Sequence, residues 1–385
     1  MARFTTDRLI VTPRDIDLSR SPLAGKLDAE TTVLGAFNPG LARLPSGNLL
    51  LMVRVAEALR QPVADGHVHS IRWDESGYQL DAWPLGEVDV SDPRTIGVPD
   101  AGGWDVHALT SLSWLLPVEL SPDGLETVTL HYHRAIAPAH PSQCYGIEDP
   151  RIAQVGDRWL MTACSVSPER QGTTLYTSDN ALDWRCEGLV LDHQNKDMLV
   201  FAGLVGGAYW AQTRPLGAQW FAYPPGSAWR AGPSINLASS PDGLHWRPRM
   251  EPGIRPHAAT TSTARMGGGA PPILTEIAGQ RGWLSLWHGV EPRGDAPGVY
   301  RTYWSLLDDD EPWRVLATEH HPLLEAAPDL TAPLADLMYL QDIVFTTGVL
   351  DAGVDGGGDH LIVASGEADL ACRITHVPKS ALAPA

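Results

Sequence analysis

The sequence predicts an all-β fold, and within that class a single five-bladed β-propeller. Three observations carry the expectation. Runs with helical period are scarce, short apolar runs bounded by turns fill the chain, and one turn-plus-strand unit recurs five times. The chain has 385 residues, 43% of them hydrophobic, enough to bury a sizeable core. Gly (37) and Pro (32) are spread along the whole length, as turn-rich β architectures require.

The β-like runs fall at 49–55, 127–133, 159–164, 207–213, 283–288 and 360–364. The recurring unit reads SGNLLLMVR from Ser46, GDRWLMTAC from Gly156, GGAYWAQTR from Gly206, GWLSLWHG from Gly282 and GGDHLIVASG from Gly357. A second unit, TSDNALDW from Thr177 and SSPDGLHW from Ser239, sets a turn before a Trp, as an outer hairpin does when its Trp packs between blades. Stacked units of this kind bury a shared core. No linker divides the chain, so one domain over 1–385 is expected. About 1–25 reads as an N-terminal extension, 353–358 as a loop and about 378–385 as a frayed tail.

With 46 carboxylates against 28 Lys plus Arg, the net charge of −18 argues against nucleic acid or an anionic membrane as partner. A small anion remains admissible, because a few local cations can hold one phosphate. The 14 Trp could stack on sugars or fill a β core. Cys144, Cys164, Cys186 and Cys372 show no metal-binding spacing, and no metal site is expected. The first residues carry no apolar signal, and no run approaches 18 apolar residues. A cytoplasmic protein with reduced thiols is expected.

Chemistry concentrates in a few segments. Tyr145-Gly-Ile-Glu148-Asp149-Pro-Arg151 places two acids before a proline and an arginine. Pro150 pushes Asp149 towards an extended conformation, and side chains alternate there, so Glu148 and Asp149 should not face one ligand alike. The turn is either internally salt-bridged or presents one acid to a cavity. Arg54 ends an apolar strand after Phe37-Asn38-Pro39-Gly40, and a partner or ligand must compensate it unless it is edge-exposed. Further segments are Asn195-Lys196-Asp197, Arg214-Pro215, the GGGAPPILTE run from Gly267, Trp287-His288-Gly289 and Gly366-Glu367-Ala368-Asp369.

In this order the segments resemble glycoside hydrolase family 130, the β-mannoside phosphorylases and their hydrolase relatives. The resemblance runs from about residue 37 to 369, through FNPG, GIEDPRI, NKDMLVF, TRP, GGGAPPILTE, GWLSLWHG, LLDDDEP, DIVFTTG and GEAD. It implies a five-bladed propeller with Asp149 as general acid. It implies that Asn38, Arg54 and Asp369 line the terminal-mannose pocket, bordered by Glu148, Asp197 and His288. Lys196, Arg170 and Arg214 would hold phosphate. It also implies a proton path through a sugar hydroxyl, and relatives that often self-associate. Ala202 after Phe201, Thr213 before Arg214 and the ASGEAD ending depart from the family pattern beside the pocket, leaving linkage open.

The expected reaction is inverting phosphorolysis: a β-mannoside plus phosphate gives α-mannose 1-phosphate and a shortened sugar. Phosphate is the co-substrate, and no other cofactor is expected. An inverting β-mannosidase would instead need a carboxylate base for water, about 6.5–9.5 Å from the acid, and Glu276 and Glu367 are the candidates. A non-catalytic carbohydrate-binding propeller is the third reading. Burial and Glu148 should raise the pKa of Asp149, with Arg151 opposing.

Overall fold

The computed structural model describes residues 4–100, 102–103, 106–216, 220–229, 231–251, 253–255, 265–294, 296–353 and 357–382. It is all-β: the one α-helix among them is the single turn Pro328–Thr331. No helix of the described residues is long and apolar enough to cross a membrane.

Five four-stranded antiparallel sheets follow one another along the chain. The first holds Thr31–Arg43, Leu49–Leu59, Ser111–Leu120 and Thr127–Leu130. The second holds Ile147–Val155, Arg158–Val166, Gln171–Ser178 and Arg185–Leu191. The third holds Asn195–Val200, Tyr209–Pro215, Asn236–Ser240 and Arg247–Pro248. The fourth holds Arg265–Ile277, Gln280–Arg293, Ala296–Leu307 and Val315–Thr318. The fifth holds Val344–Asp351, His360–Glu367 and Ala371–Pro378, completed by Thr6–Val11 from the other end of the chain. Each of the five recurring Gly-turn units is the second strand of its sheet.

Apolar side chains on both faces of these strands form a core between every sheet and the next. Met52 and Leu115 meet Ile152 and Met161 between the first and second sheets. Leu160 and Leu175 meet Met198 and Ala211 between the second and third. Trp210 and Leu237 meet Trp283 and Leu307 next, then Leu286 and Trp304 meet Val344 and Val363. Leu51 and Trp114 of the first sheet meet Ile362 and Ile374 of the fifth. Each fully buried aliphatic side chain contributes about 1.5–3 kcal/mol. Trp184 and Trp246, from the turn-before-Trp units, pack against the cores flanking the second sheet. Most of the described tryptophans serve these cores, Trp220 being exposed, and no described tryptophan lines the cavity of the candidate site.

Two terminal expectations need correction. Residues 6–11 are no extension: their backbone pairs with the strand Ala371–Pro378. The tail is not frayed from 378, because Lys379–Leu382 forms a 3-10 turn that buries Leu382 completely. Residues 383–385 of that tail, 354–356 of the Gly-rich loop and 1–3 lie outside the described residues.

An excursion interrupts the first sheet. Between Leu59 and Ser111 the chain builds a three-stranded sheet (Val63–Ala64, His67–Asp74, Gly77–Pro84) and a two-stranded one (Thr95–Gly97, His107–Leu109). Val68, Ile96 and Ala108 give it a small core of its own.

Candidate active site

The site is built from irregularities in the innermost strands. Pairing to the second strand shifts register between Phe37 and Gly40, between Glu148 and Arg151, and between Lys196 and Leu199. At each shift one residue takes a left-handed backbone: Asn38 (φ 48°), Asp149 (φ 50°) and Asp197 (φ 55°). Asn and Asp tolerate that region better than other side chains. Asp369 (φ 50°) does the same in the turn closing the fifth sheet's hairpin. Such bulges re-aim a side chain out of the strand's alternation. This corrects the expectation of an extended Asp149: its left-handed turn lets Glu148 and Asp149 reach the same guanidinium.

All four side chains line a cavity of about 300 Å³, at the lower end of the size of small-molecule sites. Arg54 is its hub. Its Nη1 donates to Asp149 Oδ1 and its Nη2 to Glu148 Oε1, both at 2.9 Å, and its Nε donates to Ser113 at 3.0 Å. Asn38 Nδ2 also donates to Asp149 Oδ1, at 2.9 Å. Lys196 Nζ reaches Glu148 Oε2 at 3.1 Å. A second buried knot lies alongside. Asp197 pairs with Arg151 Nη2 at 3.1 Å and Arg214 Nε at 2.7 Å, with His288 Nε2 at 3.8 Å.

Charge is unevenly distributed over this wall. Arg54 and Lys196 are balanced by Glu148 and Asp149. Arg151 and Arg214 share the single carboxylate of Asp197. Arg265 also lines the cavity, and among the described residues its contact is the Tyr300 hydroxyl at 3.0 Å. The Arg214–Arg265 side therefore carries surplus positive charge, suited to an anion.

The electrostatics sort the titratable groups. Burial pushes Asp149 up, but Arg54, Arg151 and Lys196 outweigh it and hold the carboxyl well below its usual range. The raised value expected for Asp149 is therefore overturned: the guanidinium of Arg54 bonds it directly. Asp369 behaves oppositely. Burial lifts it to about 6 against Arg54 and Arg94, and among the described residues its carboxylate has no ion-pair partner. Burial drives His288 down to about 3, so it is neutral and cannot serve as a phosphate-binding cation. Its ring sits against Phe345, with centroids 4.6 Å apart.

Asn38, Arg54, Glu148, Asp149, Lys196, Asp197, Arg214, His288 and Asp369 thus meet at one cavity. Arg170 does not: its neighbour Gln171 lines the wall, while the Arg170 amide closes a turn onto Ser167. The two candidate hydrolytic bases are also displaced. Glu276 is exposed on the fourth sheet. Glu367 is buried against Arg373 at 2.8 Å and the Ala327 amide at 2.6 Å, outside the cavity. Sequence reasoning missed Arg265, Tyr300, Tyr339 and Arg94. Arg265 lies two residues before Gly267 of the GGG run and could have been found there. Arg94 comes from the excursion, where nothing in the pattern marks it.

Gly366 packs against Asn38: a Cβ there would lie 2.0 Å from Asn38 Oδ1. Gly366→Ala must displace the side chain that bonds Asp149. A hydrogen bond to a charged group contributes about 1.5–3 kcal/mol, so kcat/KM should fall roughly 10–150-fold. A variant with unchanged kcat/KM would show that Asn38 does not matter.

Residues 110–381 match the family model described as beta-1,4-mannooligosaccharide phosphorylase, that of glycoside hydrolase family 130. The chain belongs to glycoside hydrolase family 130. Within the family it is similar to a beta-1,2-mannobiose phosphorylase of Listeria innocua, 31% identical over 362 residues, covering 86% of this chain and 88% of the relative. The solved structure of the Listeria innocua beta-1,2-mannobiose phosphorylase in complex with beta-1,2-mannobiose superposes with a TM-score of 0.77 at 29% identity. It covers 96% of this chain and 95% of that one. A 1,2-beta-oligomannan phosphorylase of Thermoanaerobacter is 31% identical over 206 residues, 53% of this chain and 60% of the relative. The family places the cavity in an enzyme that acts on mannosides.

Proposed function

We propose that the protein is an inverting β-mannoside phosphorylase, converting a β-1,2-linked mannoside and phosphate into α-mannose 1-phosphate and a shortened sugar. The observation that carries this reading is the charge of the cavity wall: cations in surplus at Arg214 and Arg265, beside Lys196, and neither candidate water-activating base among its lining residues. The remaining unpaired carboxylate, Asp369, feels the same Arg54 as Asp149 does. The named relatives, whose substrates are β-1,2-linked, support the linkage.

Asp149 donates the proton to the leaving oxygen. Asn38, Arg54 and Asp369 hold the terminal mannose. Lys196 and Arg214, joined by Arg265 in place of Arg170, hold the phosphate as it attacks the anomeric carbon from the other face. Phosphate is already a competent anionic nucleophile, so positioning and charge neutralisation are what the protein must add. No cofactor beyond phosphate is required. The five sheets, joined core to core from first to fifth and back, support one five-bladed propeller domain with this cavity at its centre. Four free thiols support a reducing, cytoplasmic location.

The test is incubation of the purified protein with β-1,2-mannobiose, with and without phosphate. Mannose 1-phosphate should form only when phosphate is present. Free mannose released equally fast in phosphate-free buffer would overturn the reading in favour of hydrolysis.

A further inference from the structure

In the phosphate-free site the proposed acid is ionised, yet cleavage needs a proton on it. Four side chains form a chain of alternating charge: Asp149, Arg54, Glu148, Lys196. Two carboxylates meet two cations, so the chain is neutral with Asp149 deprotonated. Asn38 and Arg54 both address Oδ1 of Asp149. Oδ2 meets no hydrogen-bond donor among the described residues. The carboxyl is faced by Asn38 and Arg54 from the first sheet, Glu148 and Arg151 from its own strand, Cys164 behind it, Lys196 and Asp197 from the third sheet, and Asp369 from the fifth.

An anion seated on Lys196 and Arg214 changes that balance, because it brings negative charge to Lys196, which bonds Glu148 and acts through space on Asp149. We propose that phosphate binding itself arms Asp149: the anion and one proton enter the site together, the proton landing on Oδ2. This rests on the phosphorolysis reading. Asp197 cannot be the acceptor, since two guanidiniums hold it. Glu148 has both oxygens engaged by cations. Cys164 is a neutral thiol, pushed up to about 12 by burial. Asp369 is the competing acceptor, already lifted to about 6 by burial, and the Asp369→Asn variant separates it from Asp149.

The protons balance over a turnover. Solvent supplies one proton to Asp149 as hydrogen phosphate binds. Cleavage passes it to the leaving oxygen as the bond from C1 to that oxygen breaks and the bond from C1 to phosphate forms. Asp149 returns to carboxylate, and the phosphate's own proton leaves from the product monoester, whose second ionisation lies near about 6.

The experiment is calorimetric titration of inorganic phosphate into the full chain near neutral pH, in buffers of different ionisation enthalpy. Wild type and Asp149→Asn are measured side by side, so the titration of phosphate itself cancels. Wild type should take up close to one more proton per site than the variant. Equal uptake overturns the inference and leaves the phosphorylase reading standing. Uptake that survives in Asp149→Asn and vanishes in Asp369→Asn also overturns it. Failure of the wild type to bind phosphate at all removes both. Should Asp149→Asn not fold, inorganic sulfate, which does not titrate here, takes its place as a competitor against phosphate in the wild type. Its inhibition constant should rise by up to about tenfold for each unit by which the pH is raised, and a flat profile between neutral and mildly alkaline pH overturns the proposal.

Discussion

Asp149→Asn is expected to lower turnover by about 10²–10⁴-fold, the range that a positioned general acid supplies. Asparagine keeps an oxygen for Arg54 and Asn38 but cannot donate a carboxyl proton. The substitution removes one negative charge from a site that already has cations in surplus, so phosphate should still bind. The loss should appear in kcat rather than in KM for phosphate. It should be read as mannose 1-phosphate released per enzyme under saturating mannoside and phosphate, alongside a thermal melt. A near-normal rate in a folded variant would remove Asp149 from the chemistry. An unfolded variant would call for Asp149→Glu, which retains a carboxyl but misplaces it by one methylene and should retain partial activity.

Much of the fold was legible because its signals are local. The five Gly-turn strands of the sequence are the five second strands, and the two Trp turns lie between sheets. The N-terminal strand Thr6–Val11 escaped, since its partner lies some 370 residues away and a lone six-residue run gives no repeat. The excursion between Leu59 and Ser111 escaped for another reason. Its strand Gly77–Pro84 has no fully buried residue and shows no run of apolar residues. The site was legible through its motifs, but its geometry was not. Strand periodicity led to an extended Asp149, because periodicity says nothing of a bulge. FNPG, IEDP and NKD each hide one left-handed Asn or Asp at the register shift. Arg170 and Arg265 show the remaining limit. Both are arginines at a strand's edge, and only the second, which opens the first strand of the fourth sheet opposite Val290, reaches the wall.

The largest stability effect is expected at Asp197. Its side chain is almost wholly enclosed, and so is that of Arg151; Arg214 is only slightly more open. Two guanidiniums out of water depend on one carboxylate. Removing one partner of a buried ion pair leaves charge uncompensated, and such losses run to about 3–5 kcal/mol. Asp197→Asn should therefore destabilise the protein by about that amount, measured by chemical denaturation at neutral pH. The dependence on acidity has a definite sign. Burial acts to raise Asp197, but Arg214 and Arg151 prevail and hold it below its unfolded value of 3.8. A lowered carboxyl contributes its full stability above the unfolded value and loses it as pH falls through the folded one. The gap between wild type and Asp197→Asn should thus be widest at neutral pH and narrow only in strong acid. Gly267 offers an independent check, because a Cβ there would lie 2.4 Å from Asp197 Oδ2 and 2.6 Å from His288 Cε1. Gly267→Ala should reproduce part of the loss without touching any charge. If Asp197→Asn unfolded no more easily than wild type, the paired guanidiniums would have to be solvated from the cavity, and the knot would be a ligand-binding device rather than a structural one.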